Sequence, residues 1–283
     1  MPKTTRTVKK KSDTDQNLQR KYLLWSIFIP LFVLLLLGMA YYYTPMRHWV
    51  NSFFTAPAGM DRHSQGEHDA RNIALMESHG QHIFGIDISQ YQDQVKWDEL
   101  HTINERFPVD FIFMRATMGM KAKDKKFVSY WKAAESRSKI RGAYHYFRPN
   151  ENSVKQAHNF IQTVKLRPGD LPPVLDIEER PRTQSMDSLQ VGLRRWLDVV
   201  EAHYKVKPII YSGDSYFNDF LEKEFKGYVL WIANYNFWVD TPKEHWDFWQ
   251  FSEKGTVGGI KGKVDLNMFN GDIEDLEKLT IPY

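Results

Sequence analysis

Eight short apolar segments recur between residues 83 and 269, and they constrain the fold more than any other feature of the chain. Several are apolar on both faces, which is typical of parallel strands covered by helices. Helical patterns separate the earlier segments, at residues 153–165, 186–204 and 215–225. Eight strands in about 200 residues predict a closed barrel. The eight segments are IFGIDIS (83–89), DFIFMRA (110–116), IRGAYHYF (140–147), PVLDIE (173–178), KPIIYS (207–212), YVLWIAN (228–234), WDFWQFS (246–252) and KVDLNMF (263–269).

The later connections in this region differ from the earlier ones. NYNFWVDTPKEH (234–245) and EKGTVGGIKG (253–262) are too short for full helices and have the composition of loops. The pattern therefore predicts five β/α units followed by three strands. The expected fold is α/β, an irregular TIM-like (β/α)5(β)3 barrel that occupies residues 83–283.

The segment PPVLDIEE (172–179) ends an apolar strand with two carboxylates, Asp176 and Glu178. Side chains at positions i and i+2 of a strand point to the same face. Asp87 and Asp265 lie near the ends of two further predicted strands. One such acid is most simply a loop cap or an arginine partner. Four of them at one barrel mouth indicate a reactive site, because burying unpaired charge is costly and barrel chemistry sits at this end.

At these residues the sequence resembles glycoside hydrolase family 25, the lysozymes with an Asp-x-Glu strand. The motifs that carry the resemblance are spread over residues 83–272, in the family's order. They are GIDIS, RGAYHYFRP, PVLDIE, LWIANY, FWQFS and VDLNMFNG. The family fold is an irregular barrel of five β/α units and three further strands. The family cleaves the β-1,4 bond between N-acetylmuramic acid and N-acetylglucosamine in peptidoglycan.

The resemblance also assigns roles to residues. It implies Glu178 as the proton donor, with Asp176 beside it and with Asp87 and Asp265 completing an acidic cluster. Tyr144 matches a tyrosine near the scissile sugar. By their types and their places near strand ends, further candidates for substrate binding are Trp231, Tyr235 and Gln250. No cofactor and no metal ion are expected.

Two positions depart from the family pattern. Ala116-Thr117-Met118-Gly119 stands where the family often has Ala-Thr-Glu-Gly, so one acid is missing. Tyr91 stands near the place of a tryptophan. Both changes affect the cleft wall, so they bear on sugar and peptide specificity more than on the reaction type.

Glycoside hydrolysis requires a group that protonates the leaving oxygen and a group that stabilises the oxocarbenium-like centre. Crowding by Asp87, Asp176 and Asp265 would keep Glu178 protonated near neutral pH. The second role has two interpretations. Asp176 attacks the sugar directly, or it orients the 2-acetamido group of the substrate, which attacks in its place. The pattern of two neighbouring strand carboxylates favours substrate assistance.

Three rival functions fit the sequence less well. Chitinases of family 18 have further aspartates upstream, where this chain has Pro172 and Val174. A metal-dependent hydrolase lacks support, because no His-x-His or His-Glu-x-x-His pattern occurs. The third rival, and the main alternative, is an inactive membrane-tethered glycan-binding protein, which only Met118 favours.

The N-terminal part predicts where the protein is located. Residues 1–21 carry seven Lys/Arg and two Asp, so the rest of the chain is slightly acidic although the total charge is +3. Nucleic acid is therefore not an expected partner. Residues 22–43 are uncharged and long enough to span a bilayer. Because the positive charges precede them, the tail is expected in the cytoplasm and the barrel outside.

The predicted organisation is thus a basic cytoplasmic tail (1–21), a transmembrane signal anchor (22–43), a linker (44–82) and the barrel (83–283). The alternative to the anchor is a cleaved signal peptide, with Gly38-Met39-Ala40 as a weak cleavage site. The anchor predicts a single-pass inner-membrane protein, and the family resemblance implies that it acts on peptidoglycan strands. The sequence does not identify protein partners.

Overall fold

A computed structural model of the chain describes residues 63–137, 139–243 and 245–282. The predicted cytoplasmic tail (1–21), the predicted anchor (22–43) and the first part of the predicted linker lie outside the described residues. Within the described part of the chain, no helix is both long enough and apolar enough to cross a membrane. The anchor therefore stays a prediction.

Eight strands close into one barrel, and they coincide with the eight apolar segments of the sequence. The first strand pairs with both the second and the eighth, which closes the sheet. The first seven strands run parallel, and the eighth is antiparallel to both of its neighbours. The carboxyl ends of seven strands therefore meet at one rim. The strands are Ile83–Ile88 (β1), Phe111–Met118 (β2), Ile140–Tyr146 (β3), Val174–Asp176 (β4), Ile209–Gly213 (β5), Val229–Ala233 (β6), Phe248–Gly255 (β7) and Val264–Phe269 (β8).

Helices cover the outside of the barrel. The longest shows why the sequence forms them: the side chain of Ser185 accepts the backbone N–H of Ser188 at its start, and its apolar positions recur at helical spacing and are buried. Lys205 ends this helix in the left-handed conformation. The helices are Gln65–Ser78 (α1), Phe127–Glu135 (α2), Ser153–Thr163 (α3), Met186–Tyr204 (α4), Asp214–Phe220 (α5), Glu222–Phe225 (α6) and Ile273–Leu279 (α7).

The connection between β1 and β2 is one irregular part of the predicted irregular barrel. It contains no α-helix, but a 3-10 turn at Gln90–Gln92 and a small hairpin of Thr102–Ile103 and Phe107–Pro108. Turn residues interrupt the segment, and three non-glycine residues take positive φ angles: Asp93, Asn104 and Glu105. A continuous helix cannot contain such angles.

The segment predicted as a linker also differs in its last part. Within it, α1 packs on the barrel, and Ser64 caps its start. Arg71 donates to the carbonyl oxygens of Phe251 (2.7 Å) and Val239 (3.1 Å). The folded unit thus includes residue 63 onwards rather than beginning at residue 83. The helix was missed because side-chain hydrogen bonds, more than an apolar stripe, hold it to the barrel.

Aromatic rings fill the barrel below its carboxyl rim. The rings of Phe111 and Phe113 are fully buried, and Phe113 stacks on Trp231 with ring centres 4.3 Å apart. Two glycines make room for them, because a Cβ atom would lie 2.4 Å from Phe111 at Gly85 and 2.4 Å from Phe113 at Gly142. This packed layer is the floor on which polar side chains stand at the rim.

Candidate active site

A cleft of about 260 Å3 opens at the carboxyl rim of the barrel. It joins residues from distant parts of the sequence, including the four predicted carboxylates. All eight predicted site residues line it: Asp87, Tyr144, Asp176, Glu178, Trp231, Tyr235, Gln250 and Asp265. The further lining residues are Ser89, Tyr91, Arg115, Tyr146, Tyr211 and Glu253.

The strand register brings the four acids together. Asp87 in β1 and Asp265 in β8 are direct partners across the antiparallel pair that closes the barrel. Asp176 ends β4, and Glu178 follows two residues later on the same side. Ile177, between the two carboxylates, is fully buried in the outer core. The alternation read from the sequence is therefore the one that the chain adopts.

Asp87 is held by two buried amides. Its Oδ2 accepts hydrogen bonds from Gln250 Nε2 at 2.5 Å and from Asn267 Nδ2 at 2.9 Å. The Oδ1 of Asn267 in turn accepts the indole N–H of Trp231 at 2.8 Å. Tyr211 donates to Gln250 Oε1 at 2.7 Å. The result is a connected network that fixes the orientation of the Asp87 carboxyl.

Burial raises the pKa values of the two acids that face each other across β1 and β8. The pKa of Asp87 rises to about 7, mainly through desolvation, although the amide donors of Asn267 and Gln250 oppose the rise. The pKa of Asp265 rises to about 9, through desolvation and then through the nearby charge of Asp87. Carboxyls this close cannot all ionise together. Protons are therefore retained in the cleft at neutral pH.

Burial raises the pKa values of Asp176 and Glu178 as well. Desolvation raises the pKa of Asp176 well above its usual range, and the charge of Glu178 raises it further. Desolvation also raises the pKa of Glu178, while a hydrogen bond from Asp176 opposes this rise. Asp176 is buried, whereas Glu178 is exposed to the cleft. Burial thus favours the protonated form of both carboxyls, and Glu178 is the one that substrate can reach.

One oxygen of Asp176 is distinctive. Its Oδ1 is buried and receives no hydrogen bond from any residue that the structure describes. A buried polar atom without a donor is costly. It is stabilised when it carries a proton or when a bound molecule supplies an N–H or O–H group.

Arg115 is the cation at this end of β2. Its Nε donates to Asp124 Oδ2 at 3.1 Å, and its guanidinium lies over the ring of Tyr91 at 4.8 Å. The charge of Arg115 also lowers the pKa of Asp176, though less than burial raises it. Arg115 therefore moderates the acid cluster without neutralising it.

The predicted aromatic residues play different parts in the cleft. Tyr235 is 43% exposed and can contact a ligand directly, whereas Trp231 is only 2% exposed and forms the floor. The network also includes residues that sequence reasoning did not single out. Asn267 stands two positions after Asp265, so the alternation that linked Asp176 to Glu178 could have identified it. Tyr211 is the register partner of Asp176 and carried no comparable signal.

His145, in β3 next to Tyr144, lies outside the cleft. It is fully buried, and its ring nitrogens contact Thr117 Oγ1 at 2.7 Å and Gln156 Oε1 at 3.1 Å. Desolvation lowers its pKa to about 4. A neutral, fully bonded imidazole on the outer face of the barrel cannot act on substrate in the cleft.

A larger cavity, of about 700 Å3, lies at the opposite end of the barrel. Its charged groups neutralise one another: Arg141 Nε pairs with Asp170 Oδ1 at 2.7 Å, and Arg167 pairs with Glu135. In the described part of the chain, no group of three or more His, Asp or Glu side chains is arranged to hold a metal ion.

Comparisons with known proteins agree with this geometry. The model of the family "Glycosyl hydrolases family 25" matches residues 86–260. The chain is 32% identical over 219 residues to lysozyme M1 of Streptomyces globisporus, and the match covers 72% of each protein. It is 35% identical over 235 residues to the uncharacterized protein YegX of Escherichia coli (strain K12), covering 82% of this chain and 86% of YegX.

Solved structures show the same fold. A bacterial lysozyme from Streptomyces coelicolor superposes with a TM-score of 0.63 at 29% identity, covering 70% of this chain and 96% of that one. A family 25 glycosyl hydrolase from Bacillus anthracis gives a TM-score of 0.63 at 28% identity, covering 70% and 94%. The barrel fold, the acidic cleft and the similarity to these relatives together show that the protein is a glycoside hydrolase. The chain belongs to glycosyl hydrolases family 25.

Proposed function

We propose that the protein is a membrane-anchored peptidoglycan hydrolase that cleaves the β-1,4 bond between N-acetylmuramic acid and N-acetylglucosamine. The observation that carries this proposal is the pair of Asp176 and Glu178, two carboxyls that line an open cleft and whose pKa values burial raises. Hydrolysis of a glycosidic bond needs an acid that is still protonated at neutral pH. Relatives named as lysozymes support the choice of peptidoglycan as substrate.

Glu178 is the proposed general acid. It is exposed to the cleft, so a glycosidic oxygen can come within hydrogen-bond distance. Burial raises its pKa, which favours the protonated form that this role requires. When Glu178 protonates the leaving oxygen, the bond from that oxygen to the anomeric carbon breaks. The negative charge that remains on Glu178 then makes it the base for an incoming water.

Asp176 is proposed to orient the 2-acetamido group of the substrate. Asp176 and Glu178 lie two residues apart and line the same cleft, so both carboxyls are placed to reach one bound sugar. The buried Oδ1 of Asp176 also lacks a donor among the described residues, and an acetamido N–H would supply one. The acetamido oxygen then attacks the anomeric carbon, and water opens the resulting ring. Isolation of a covalent sugar–Asp176 adduct would contradict this step.

The test of the general acid compares two adjacent glutamates. In full-length protein in mild detergent, Glu178→Gln is expected to lower kcat/KM on purified sacculi by roughly 10²- to 10⁴-fold, the usual contribution of a general acid. Glu179→Gln, whose carboxylate accepts the Tyr146 hydroxyl at 3.0 Å, serves as the matched control and is expected to retain activity within about tenfold. Equal rates for Glu178→Gln and the unmodified protein would refute the assignment.

The proposed location follows from residues 22–43, which are long and apolar enough to anchor the chain. With the positive tail in the cytoplasm, the barrel would work on wall material outside the membrane. Because α1 belongs to the folded unit, the intervening connector is shorter than the sequence suggested. Fusion of a reporter active only outside the cytoplasm to the C-terminus tests the orientation, and an inactive fusion would contradict it.

A further inference from the structure

A lysine-rich hairpin stands beside the cleft. It comprises residues 117–125, where β2 turns back into the short strand Ala122–Lys123. The β2 strand is hydrogen-bonded to β3 up to Tyr146, which lines the cleft. The hairpin therefore rises directly from the cleft wall.

This hairpin is held in place by buried groups. The side-chain amide of Asn159, 5% exposed, donates to the carbonyl oxygens of Gly119 at 2.9 Å and Ala122 at 3.1 Å. Glu151 accepts the backbone N–H of Met120 at 2.6 Å. Gly119 has a φ of 57°, which glycine adopts without strain. The turn is thus a fixed part of the rim.

Three ammonium groups project from the hairpin. Lys121, Lys123 and Lys125 are exposed, and no carboxylate pairs with them among residues 63–137, 139–243 and 245–282. The acid inside the hairpin, Asp124, is directed inward to Arg115 at 3.1 Å. The next lysine, Lys126, differs because it pairs with Asp93 at 3.0 Å.

A fourth cation extends this charge. The guanidinium of Arg148, on the loop after β3, has Nη2 3.3 Å from Met118 Sδ. Met118 occupies the place where related sequences often have Glu. A carboxylate there would neutralise Arg148, whereas the thioether leaves its charge in place. The departure from the family pattern therefore makes this side of the rim more positive.

We propose that this lysine hairpin, Lys121, Lys123 and Lys125 with Arg148 beside it, binds the carboxylates of the peptides that branch from the glycan strand. The inference rests on the proposed function, since a glycan in the cleft carries its peptides past the rim. A peptide of four or five residues reaches at most about 13–18 Å when extended, enough to run from a cleft-bound sugar onto the rim. Carboxylates are attracted to this hairpin and repelled from the acidic cleft, which orients the strand.

The test compares substrates with and without peptides. Sacculi free of teichoic acid are used intact or after an amidase has removed their peptides, with full-length protein in mild detergent. Replacing the three hairpin lysines by Gln is expected to raise KM on intact sacculi about tenfold at low salt, since exposed charge contacts contribute a few-fold each. The difference should shrink at high salt. On peptide-free glycan, the variant and the unmodified protein should agree within about twofold.

Two control variants sharpen the comparison. Replacing Lys165, Lys223 and Lys226 by Gln removes the same charge from exposed positions. These three lysines lie on connections that run to the opposite end of the barrel, so KM should not change. Replacing the hairpin lysines by Arg keeps the charge and should retain normal KM.

Several results would overturn the inference. One is an equal KM on intact sacculi for the hairpin Gln variant and the unmodified protein, and another is an equal loss on both substrates. A third is a loss of binding to anionic phospholipid vesicles with no change on sacculi, which would assign the hairpin to the membrane surface. If the unmodified protein cleaves neither substrate, the proposed hydrolase function itself fails, which is a separate outcome.

Discussion

At the scale of single residues, the cleft depends on amides as much as on acids. Asp87 keeps a pKa near 7 because burial raises it while two amide donors oppose the rise. Asn267 is one of these donors, and it also accepts the Trp231 indole N–H. Replacing Asn267 therefore changes the pKa of Asp87 and leaves the buried indole N–H of Trp231 without its acceptor.

The first prediction concerns Asn267. Asn267→Leu is expected to raise the pKa of Asp87 further, because a donor to the ionised form is lost. It is also expected to lower the free energy of unfolding by about 1–3 kcal/mol, because the Trp231 N–H is left unpaired. Carboxyl chemical shifts followed through a pH titration measure the first effect. Asn270→Leu, at an exposed position, is the control, and an unchanged Asp87 titration in Asn267→Leu would contradict the network.

The second prediction concerns the pair of Asp176 and Glu178. The raised pKa of the pair means that activity persists at neutral pH and is lost as pH rises, because the acid must be protonated to work. Asp176→Asn leaves Glu178 with a neutral donor, which stabilises the ionised form. The alkaline limb of the kcat/KM profile is therefore expected to move to lower pH. A limb that stays in place would show that Asp176 does not influence the ionisation of Glu178.

At the scale of elements, strands were easier to predict than their connections. The eight barrel strands are short apolar runs, and burial on both faces makes such runs visible in the sequence. The segment between β1 and β2 lacks the helix that a regular unit would have, because turn residues such as Asp93 and Asn104 adopt positive φ angles. The helix α1 escaped notice because few of its residues are apolar: Leu75 and Met76 join the core, while Arg71 is bound to the barrel by hydrogen bonds.

The third prediction follows from the attachment of α1. Arg71→Ala removes hydrogen bonds to the carbonyl oxygens of Phe251 and Val239. Partly buried carbonyls without donors are expected to lower the free energy of unfolding by about 1–3 kcal/mol, measured as a lower midpoint of urea unfolding. Lys96→Ala, which removes an exposed pair with Glu99, is the control and should cost less than about 1 kcal/mol. Equal midpoints for the two variants would show that α1 contributes little to the barrel.

At the scale of the whole molecule, barrel closure creates the site. Asp87 and Asp265 lie at opposite ends of the domain sequence and become neighbours only because β8 pairs with β1. The sequence could predict that acids gather at a barrel mouth, since all eight candidate residues line the cleft. It could not predict which carboxyl is buried or which amide orients it, because these depend on the register across the closing pair.

The fourth prediction concerns stability and pH. Asp265 has a pKa of about 9 in the folded protein against 3.8 ordinarily, so between these values the folded state binds more protons than the unfolded state. The free energy of unfolding should therefore fall as pH rises from about 4 to 9. Asp265→Asn should reduce this fall, because the other buried acids still contribute to it, with a melting temperature at pH 9 higher than that of the unmodified protein by at least about 2–4 °C and little change at pH 4. Glu274→Gln, on the exposed face of α7, is the control, and parallel pH profiles for Asp265→Asn and the unmodified protein would contradict the burial of this charge.

The most direct measurement is the identity of the reducing ends that the protein releases from peptidoglycan. Purified sacculi are digested with the full-length protein and with Glu178→Gln, reduced with borohydride and examined by mass spectrometry. The account predicts N-acetylmuramitol ends from the unmodified protein and almost none from Glu178→Gln. N-acetylglucosaminitol ends would place the cut at the other glycosidic bond. No release of fragments, with glycan binding retained, would contradict the hydrolase and favour a binding protein.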